Sequence, residues 1–380
     1  MSLPLDNIKI LDLSRLLPGP YCTQVLADFG ADVIKIEEPK LGDYMRWESE
    51  KLDDAGGAMF HSLNRNKRSI TLDLKSDDGK QIFKELVKTA DVVLESFRPG
   101  VMERLGLSYE VLNEINEKLI YCAITGFGQT GPYKNMPGHD VNFVSYAGIM
   151  ELQGEETGKP ILSSVQIADI AGGAQQAITG ILLALFERTV SGKGQFVDIS
   201  MLDGSVSLLQ TTLPQYLVTN EVPKRGQLDL SGGLACYSIY RTKDNRHISV
   251  GAFEKKFWRS FCQVIGEESF IEQSNAPSDI QQKMRTRIQE ILLEKTLAEW
   301  MTALQHLETC VSPILTFDEV VEDPQIQDRD MIIDITHENG SVKQIGIPIK
   351  LSRTPASIRT SAPKLGEHNN QIIGELRISQ

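Results

Sequence analysis

Along its first 125 positions the chain alternates short apolar runs with amphipathic stretches. Positions 8–13 read as a strand, Leu17-Pro18-Gly19-Pro20 as a turn, 21–29 as a helix closed by Gly30, and 31–36 as a second strand. After an irregular connection over 41–60, the pattern predicts a strand at 68–74. A helix follows from Asp77 to about Thr89, with Ser76 as its cap and acids in its first turn. Strands at 91–97 and 119–125 flank a short helix at 109–115. Strands alternating with helices imply an α/β fold with a doubly wound, mostly parallel sheet. Ligands of such sheets bind beyond the carboxyl ends of the strands. Those ends carry Ser14-Arg15, Glu37-Glu38, Lys75, Ser96-Phe97-Arg98 and Gly126-Phe127-Gly128. No GxGxxG follows the first strand, so the dinucleotide fingerprint is missing.

Beyond Asp169 the apolar spacing of Ile178, Ile181, Leu182, Leu185 and Phe186 predicts a long helix, stopped by Ser191-Gly192-Lys193-Gly194. A strand is expected at 195–201, after which the pattern loosens. The predicted organisation is a large domain over 1–204, a linker over 205–233, a smaller α+β domain over 234–325 and a return segment over 326–380 that completes the large domain. Within the small domain a hairpin is expected at 237–241 and 247–250, and helices at 254–265 and 280–306. The return segment has strand-like runs at 332–335 and 346–351.

Composition narrows the partners. The net charge is −12, with 41% apolar and 24% charged residues. That balance argues against nucleic acid or an anionic membrane as the main partner, so an anionic ligand needs a local basic pocket. The five cysteines (Cys22, Cys122, Cys236, Cys262, Cys310) are scattered and form no CxxC pair, which suits a reducing cytoplasm and argues against structural zinc. The expectation is a cytoplasmic protein without signal peptide or membrane span. The tail Ile378-Ser379-Gln380 is not a peroxisomal address. GxSxG, HExxH and Walker A motifs are absent.

Three stretches are candidates for chemistry. Asn64-Arg65-Asn66-Lys67-Arg68 is a basic knot in an acidic chain, either a solvated loop or a phosphate site, and Arg98 and Arg104 point towards phosphate too. Gly138-His139-Asp140 and Ala168-Asp169 place an imidazole and a carboxylate about thirty residues apart. Such a pair can take a proton from one face of a carbon and return it to the other. Asp169 has a structural alternative as the N-cap of the long helix. Gly172 and Gly173 are poor helix formers that would let a ligand approach the backbone. His139 has an alternative as a surface residue, and Glu254 as a first-turn acid.

Taken together, Leu17-Pro18-Gly19-Pro20, 26–37, 64–75, Phe97-Arg98-Pro99-Gly100, 126–132 and Gly192-Lys193-Gly194-Gln195 resemble the family III CoA-transferases, the CaiB/BaiF group that also holds α-methylacyl-CoA racemases. The resemblance runs nearly end to end. It implies an interlocked homodimer of ring-like subunits with a Rossmann-like large domain. It implies an acyl-CoA substrate and no cofactor or metal beyond the CoA moiety itself. By position it places CoA against Leu17, Pro18, Leu72, Asp73, Leu74, Lys75, Ser96, Phe97, Arg98, Arg104, Pro137 and Gly138. In transferases of this family the aspartate matching Asp169 is a nucleophile; in racemases it is one acid/base, a Gly-His-Asp histidine is the other, and a glutamate in a Gly-Ala-x-Glu setting orients the histidine. His139, Asp169 and Glu254 match the racemase form, which implies epimerisation of a 2-methylacyl-CoA; CoA transfer between carboxylic acids is the alternative. Two departures stand out. Glu38 stands where many members carry an arginine at the adenine end of CoA, and Ser231-Gly232-Gly233 is short for the transferases' glycine loop.

Overall fold

Six short strands form the frame of the larger unit in the computed structural model, which describes residues 2–48, 50–337 and 340–378. Strands β1 (Lys9–Asp12), β2 (Asp32–Glu37), β3 (Lys67–Thr71), β4 (Val92–Glu95), β5 (Ile120–Thr125) and β6 (Phe196–Ser200) pair in the order β3-β2-β1-β4-β5-β6. Every pairing is parallel. This is the doubly wound parallel α/β sheet that the alternation predicts, and its order reverses between β1 and β4. All residues of β4 and β5 are buried, as expected for a parallel sheet covered on both faces. Its core draws Leu11, Ile34, Ile70, Val93 and Ala123 from the strands, Phe83 from the helix Asp77–Val87, and Ile372 from the helix Asn369–Ile378. The C-terminal segment also binds β3 directly: the His368 N–H donates to Ser69 O at 3.0 Å, and Asn369 Nδ2 to Thr71 Oγ1 at 3.0 Å.

Several boundaries differ from expectation. The first helix starts at Pro18 and runs to Asp28, absorbing the predicted turn, because proline lacks an N–H that the first helical turn leaves unbonded anyway. The run 346–351 is not a strand. Ile332–His337 pairs instead with Gly340–Ile345 in an antiparallel hairpin. Ser379 and Gln380 of the C-terminal tripeptide lie outside the described residues.

Two units divide the chain: Met1–Ala147, Ser163–Leu208 and Pro324–Gln380 form the first, and Gly148–Leu162 with Leu209–Asp323 the second. The stretch 205–233, expected to be a linker, contains the helix Leu213–Thr219. In the second unit β7 (Tyr237–Arg241), β8 (His247–Gly251) and β9 (Val311–Pro313) make a three-stranded antiparallel sheet. It packs with Trp258, Phe261 and Trp300 into a separate core. The single helix expected over 280–306 is two, Ser278–Leu292 and Leu297–Leu304. A reciprocal cap starts the second: the Glu299 N–H donates to Thr296 Oγ1 (3.3 Å) and the Thr296 N–H to Glu299 Oε2 (2.8 Å).

The helical stretch Ala168–Ser191 spans 24 residues and is, by length and composition alone, long and apolar enough to cross a membrane. One face enters the core through Ala177, Ile178, Ile181, Ala184 and Leu185, while Leu183 (64%), Phe186 (73%) and Val190 (83%) are exposed.

Beneath the carboxyl ends of β1 and β2 lies a network of buried charge. Lys67 Nζ meets Asp12 Oδ2 at 3.2 Å and Lys35 Nζ meets Asp43 Oδ2 at 2.9 Å, with all four side chains 0% exposed. Arg46 and Glu37 pair at 2.6 Å, and Arg65 and Asp28 at 2.8 Å. Burial pushes the Asp12 carboxyl up, but Lys67 and Lys35 outweigh it and hold the group down at about 2. Burial brings the Lys67 amine down to about 8, with Asp12 opposing. The basic knot 64–68 is therefore neither a solvated loop nor a phosphate site. Arg65, Lys67 and Arg68 are each matched to an aspartate, Arg68 with Asp32 at 2.6 Å. The same network ties down the turn after β1: Lys35 Nζ donates to Ser14 O (3.0 Å), and the Leu16 N–H to Asp43 Oδ1 (3.2 Å). Removing one member leaves an uncompensated buried charge. Asp12→Ala, which leaves two buried lysines facing each other, is expected to lower stability by about 3–5 kcal/mol in denaturant unfolding, more than Lys67→Met does.

Candidate active site

The loop after β5 is shaped by aromatic packing. The Phe127 ring meets Phe143 edge-on at 5.2 Å, Tyr146 at 5.5 Å and Tyr133 at 5.8 Å. Phe143 and Tyr146 lie on the short helix Asp140–Tyr146, so this cluster fixes the helix on the loop. His139 is the residue before that helix. Its backbone N–H donates to Asn142 Oδ1 at 3.0 Å, and its carbonyl accepts from the Asn142 N–H at 2.8 Å. The His139 side chain is exposed.

Asp169 does not cap the long helix. It lies inside a wide, π-type turn, Ala168–Ala174, that runs directly into the helix Gln175–Ser191. The capping group is Asp140. Its Oδ1 accepts from the Ala168 N–H at 2.6 Å and from the Asp169 N–H at 3.0 Å. Two unbonded amides of a helix start are thereby satisfied by a residue 28 positions upstream. The backbone beside His139 is thus joined to that of Asp169, and the two candidate groups belong to one junction. Burial pushes the Asp169 carboxyl up to about 7, and the Asp140 charge adds to the effect. π-Type turns of this kind are frequent at functional sites. Gly172 and Gly173 serve packing rather than ligand approach. A Cβ on Gly172 would stand 2.7 Å from Met201 O, and one on Gly173 2.9 Å from Met201 Cγ. Met201 is accordingly a packing residue.

The residues expected to hold CoA lie in turns that follow β1, β3, β4 and β5. Leu17 and Pro18 open the first helix, with Pro18 buried. Leu72 is buried, Asp73 and Lys75 are exposed, and Leu74 packs on the core. The Lys75 N–H donates to Asp73 Oδ1 at 3.0 Å. Ser96 and Phe97 are half-buried and Arg98 is exposed. Gly100 has φ +83, and Arg104 Nη1 lies 3.0 Å from where its Cβ would be, so glycine lets that arginine fold over the turn. Pro137 is exposed and Gly138 half-buried. In contrast to the arginines of the buried network, Arg98 and Arg104 have no carboxylate in ion-pair contact among the described residues. Glu38 is engaged locally: its Oε2 accepts from the Leu41 N–H at 2.8 Å, which lowers its pKa.

Sequence reasoning missed Glu95, the last residue of β4, at 5% exposure. Burial pushes its carboxyl up to about 8, and Oε2 accepts from the Phe97 N–H at 2.6 Å, fixing the turn after β4. Its one signal was an acid ending an apolar strand. Glu254 lies in the second unit, exposed, at the start of the helix Lys255–Ile265. In that unit Arg285 Nη1 donates to Gly232 O (2.9 Å) and Gly233 O (2.6 Å), pinning the short glycine segment. Among the described residues no group of three His, Cys, Asp or Glu side chains is placed to hold a metal ion.

Comparison with known proteins locates this arrangement. The family model described as CoA-transferase family III matches residues 5–369. The chain is 36% identical over 379 residues to an α-methylacyl-CoA racemase of Homo sapiens, covering 99% of this chain and 94% of that protein. It is also 36% identical over 386 residues to a succinate–glutarate CoA-transferase of Agrobacterium fabrum, covering 98% and 96%. A crystal structure of a CAIB/BAIF family protein from Brucella suis superposes with a TM-score of 0.88 at 33% identity, covering 99% of this chain and all of that one.

The raised Asp169 carboxyl has a consequence for stability. An acid whose folded pKa lies near 7, against 3.8 in a model carboxyl, binds its proton more tightly in the folded state. Its contribution is fully present below about pH 4 and is lost as pH rises through about 7. Asp169→Asn removes that penalty. The variant is expected to match the wild type in stability at and below about pH 4 and to exceed it by pH 8, by an amount on the order of 2 kcal/mol after allowance for solvent. A difference that does not change with pH would refute the assignment.

Proposed function

This chain belongs to CoA-transferase family III, and from that premise we propose that it is an isomerase, epimerising the α-carbon of a 2-methylacyl-CoA thioester by 1,1-proton transfer. The observation that carries this reading is the junction at which Asp140 joins the Asp169 backbone to that of His139, with the Asp169 carboxyl pushed up to about 7. A general acid/base works best when its pKa lies near the operating pH. A group at about 7 is present in both forms in neutral solution, so it accepts and returns a proton equally well.

In this reading one of His139 and Asp169 removes the α-proton, and the C–H electron pair moves into the thioester to give an enolate. The other group delivers a proton to the opposite face of the same carbon. Reversal exchanges the roles, so both configurations enter and leave. The resemblance assigns Glu254 to the same reaction, and Glu254→Gln tests that assignment. The CoA moiety lies along the strand ends. From β3 to β5 is four strand spacings, about 19 Å, which accommodates an extended nucleotide and pantetheine arm. Arg98, Arg104 and Lys75 face its phosphates.

The alternative is CoA transfer, with Asp169 attacking the thioester carbonyl. Relatives of both chemistries stand at 36% identity, so identity does not separate them. A nucleophilic carboxylate must be ionised, which a carboxyl pushed up to about 7 serves less well than it serves proton exchange. We also propose that the chain works as the interlocked homodimer of its family, with the exposed apolar face of Leu183, Phe186 and Val190 covered by a second copy.

Incubation with a 2-methylacyl-CoA in D2O is expected to introduce one deuterium at Cα. His139→Ala and Asp169→Asn are each expected to slow that exchange by at least about a hundredfold. No exchange, with CoA passing instead to a free carboxylic acid, would replace the first reading by the second. In sedimentation the protein is expected to be a dimer that Phe186→Glu weakens.

A further inference from the structure

β6 ends at Ser200, which pairs with Thr125 at the end of β5. The Ser200 hydroxyl accepts from the Asp203 N–H at 3.1 Å and so starts a short helix, Met201–Ser207. No step above uses that helix, yet it touches both halves of the candidate site. On one side its Leu202 N–H donates to Gly126 O at 3.0 Å, in the loop after β5. Gly126 lies against the ring of Phe143, where a Cβ would overlap the ring edge, and a Cβ on Gly138 would stand 2.7 Å from Phe143 Cε1. Phe143 belongs to the helix Asp140–Tyr146. On the other side Gly204 lies against the turn of Asp169, where a Cβ would overlap Gly172 O. A Cβ on Gly172 would in turn stand 2.7 Å from Met201 O and 3.0 Å from Ser205 Oγ. That hydroxyl is held in place, donating to Met201 O at 2.7 Å.

With the Asp140 carboxylate on the Ala168 and Asp169 amides, these contacts close a triangle of three elements: the helix Asp140–Tyr146, the turn Ala168–Ala174 and the helix Met201–Ser207. The side between Gly172 and Gly204 has no side chain in it, so the two backbones meet directly and the smallest added group must move one of them. Met201, Gly204 and Ser205 are buried. A close-packed interior of this kind passes a displacement on rather than absorbing it. Glycine is a poor helix former, so its place inside a helix at this contact is explained by the approach it allows.

We propose that Gly204 is a positioning residue for the proton transfer: its bare backbone sets how closely the turn of Asp169 stands to Asp140 and to the backbone of His139. This rests on the proton-transfer reading of the preceding subsection, in which the two groups work on opposite faces of one carbon. Gly204 touches neither substrate nor reacting atoms in that reading. It acts through Gly172, three residues beyond Asp169 in the same turn.

Deuterium exchange at Cα of a 2-methylacyl-CoA, followed against pH in the wild type and in Gly204→Ala, tests it. Gly204→Ala is expected to lower kcat for exchange about a hundredfold and to leave KM within about twofold of the wild type. Its pH profile is expected to move to lower pH. A turn pushed away from Asp140 and opened to water loses both causes that raise the Asp169 carboxyl. Leu112→Ala, in the core of the same unit, is expected to lower the thermal midpoint yet keep the wild-type kcat and pH profile, which separates positioning from lost stability. Should Gly204→Ala not fold, Gly172→Ala presses on the same contact less hard from the other side and is expected to move kcat and the profile in the same direction. A folded Gly204→Ala with wild-type kcat and profile would overturn the proposal and leave the proton-transfer reading standing. A Leu112→Ala that moves the profile in the same way would overturn it too. A wild-type protein that exchanges no deuterium at any pH overturns both.

Discussion

Two hydrogen bonds to one carboxylate oxygen hold the candidate site together. Asp140 Oδ1 takes the Ala168 and Asp169 amides, so a loop after β5 and the start of the longest helix meet at a fixed place. Each partner is braced from behind. The Asp140–Tyr146 helix is pressed onto its loop by the Phe127 cluster, and the turn of Asp169 is packed against Met201 and Ser205 through glycine. The same geometry that satisfies the helix start puts a negative charge beside a half-buried carboxyl, and burial with that charge raises its pKa. Capping and tuning are therefore one interaction.

Charge elsewhere in the larger unit divides into two populations. Lys35, Lys67, Arg46 and Arg65 are buried and matched to Asp43, Asp12, Glu37 and Asp28, where an unmatched charge would be costly. Arg15, Arg98 and Arg104 stand in turns beyond the strands, with no carboxylate in ion-pair contact among the described residues. The first population holds the turn after β1 in shape, and the second is left available to an anion. An acidic chain thus keeps a local positive field at the one end of its sheet where ligands of this fold class bind.

Much of this was legible in the sequence, for definite reasons. Short apolar runs alternating with amphipathic helices specify a parallel sheet, because both faces of its strands must be buried. Strand order was not legible, since it depends on contacts far apart in the chain. For the same reason the knot at 64–68 looked solvated or phosphate-binding: its partners Asp12, Asp28 and Asp32 lie 36 or more positions upstream of the residues they pair with. Asp169 looked like a cap because an acid before small residues usually is one; the true cap, Asp140, is remote. The break at Thr296 was passed over by the single helix expected at 280–306, although Thr-x-x-Glu before an apolar run is the signature of a capping box. Glu95 was hidden, because nothing local distinguishes a buried acid from an exposed one at a strand end.

The chemistry proposed for this site depends on the protonation of one carboxyl, that of Asp169. The direct measurement is the titration of Asp169, by carbon NMR of aspartate-labelled protein with Asp169→Asn to assign the resonance. A midpoint near pH 7, which falls when Asp140→Asn removes the neighbouring charge, is the predicted result. A midpoint at the ordinary carboxylate value, unmoved by that substitution, would contradict it.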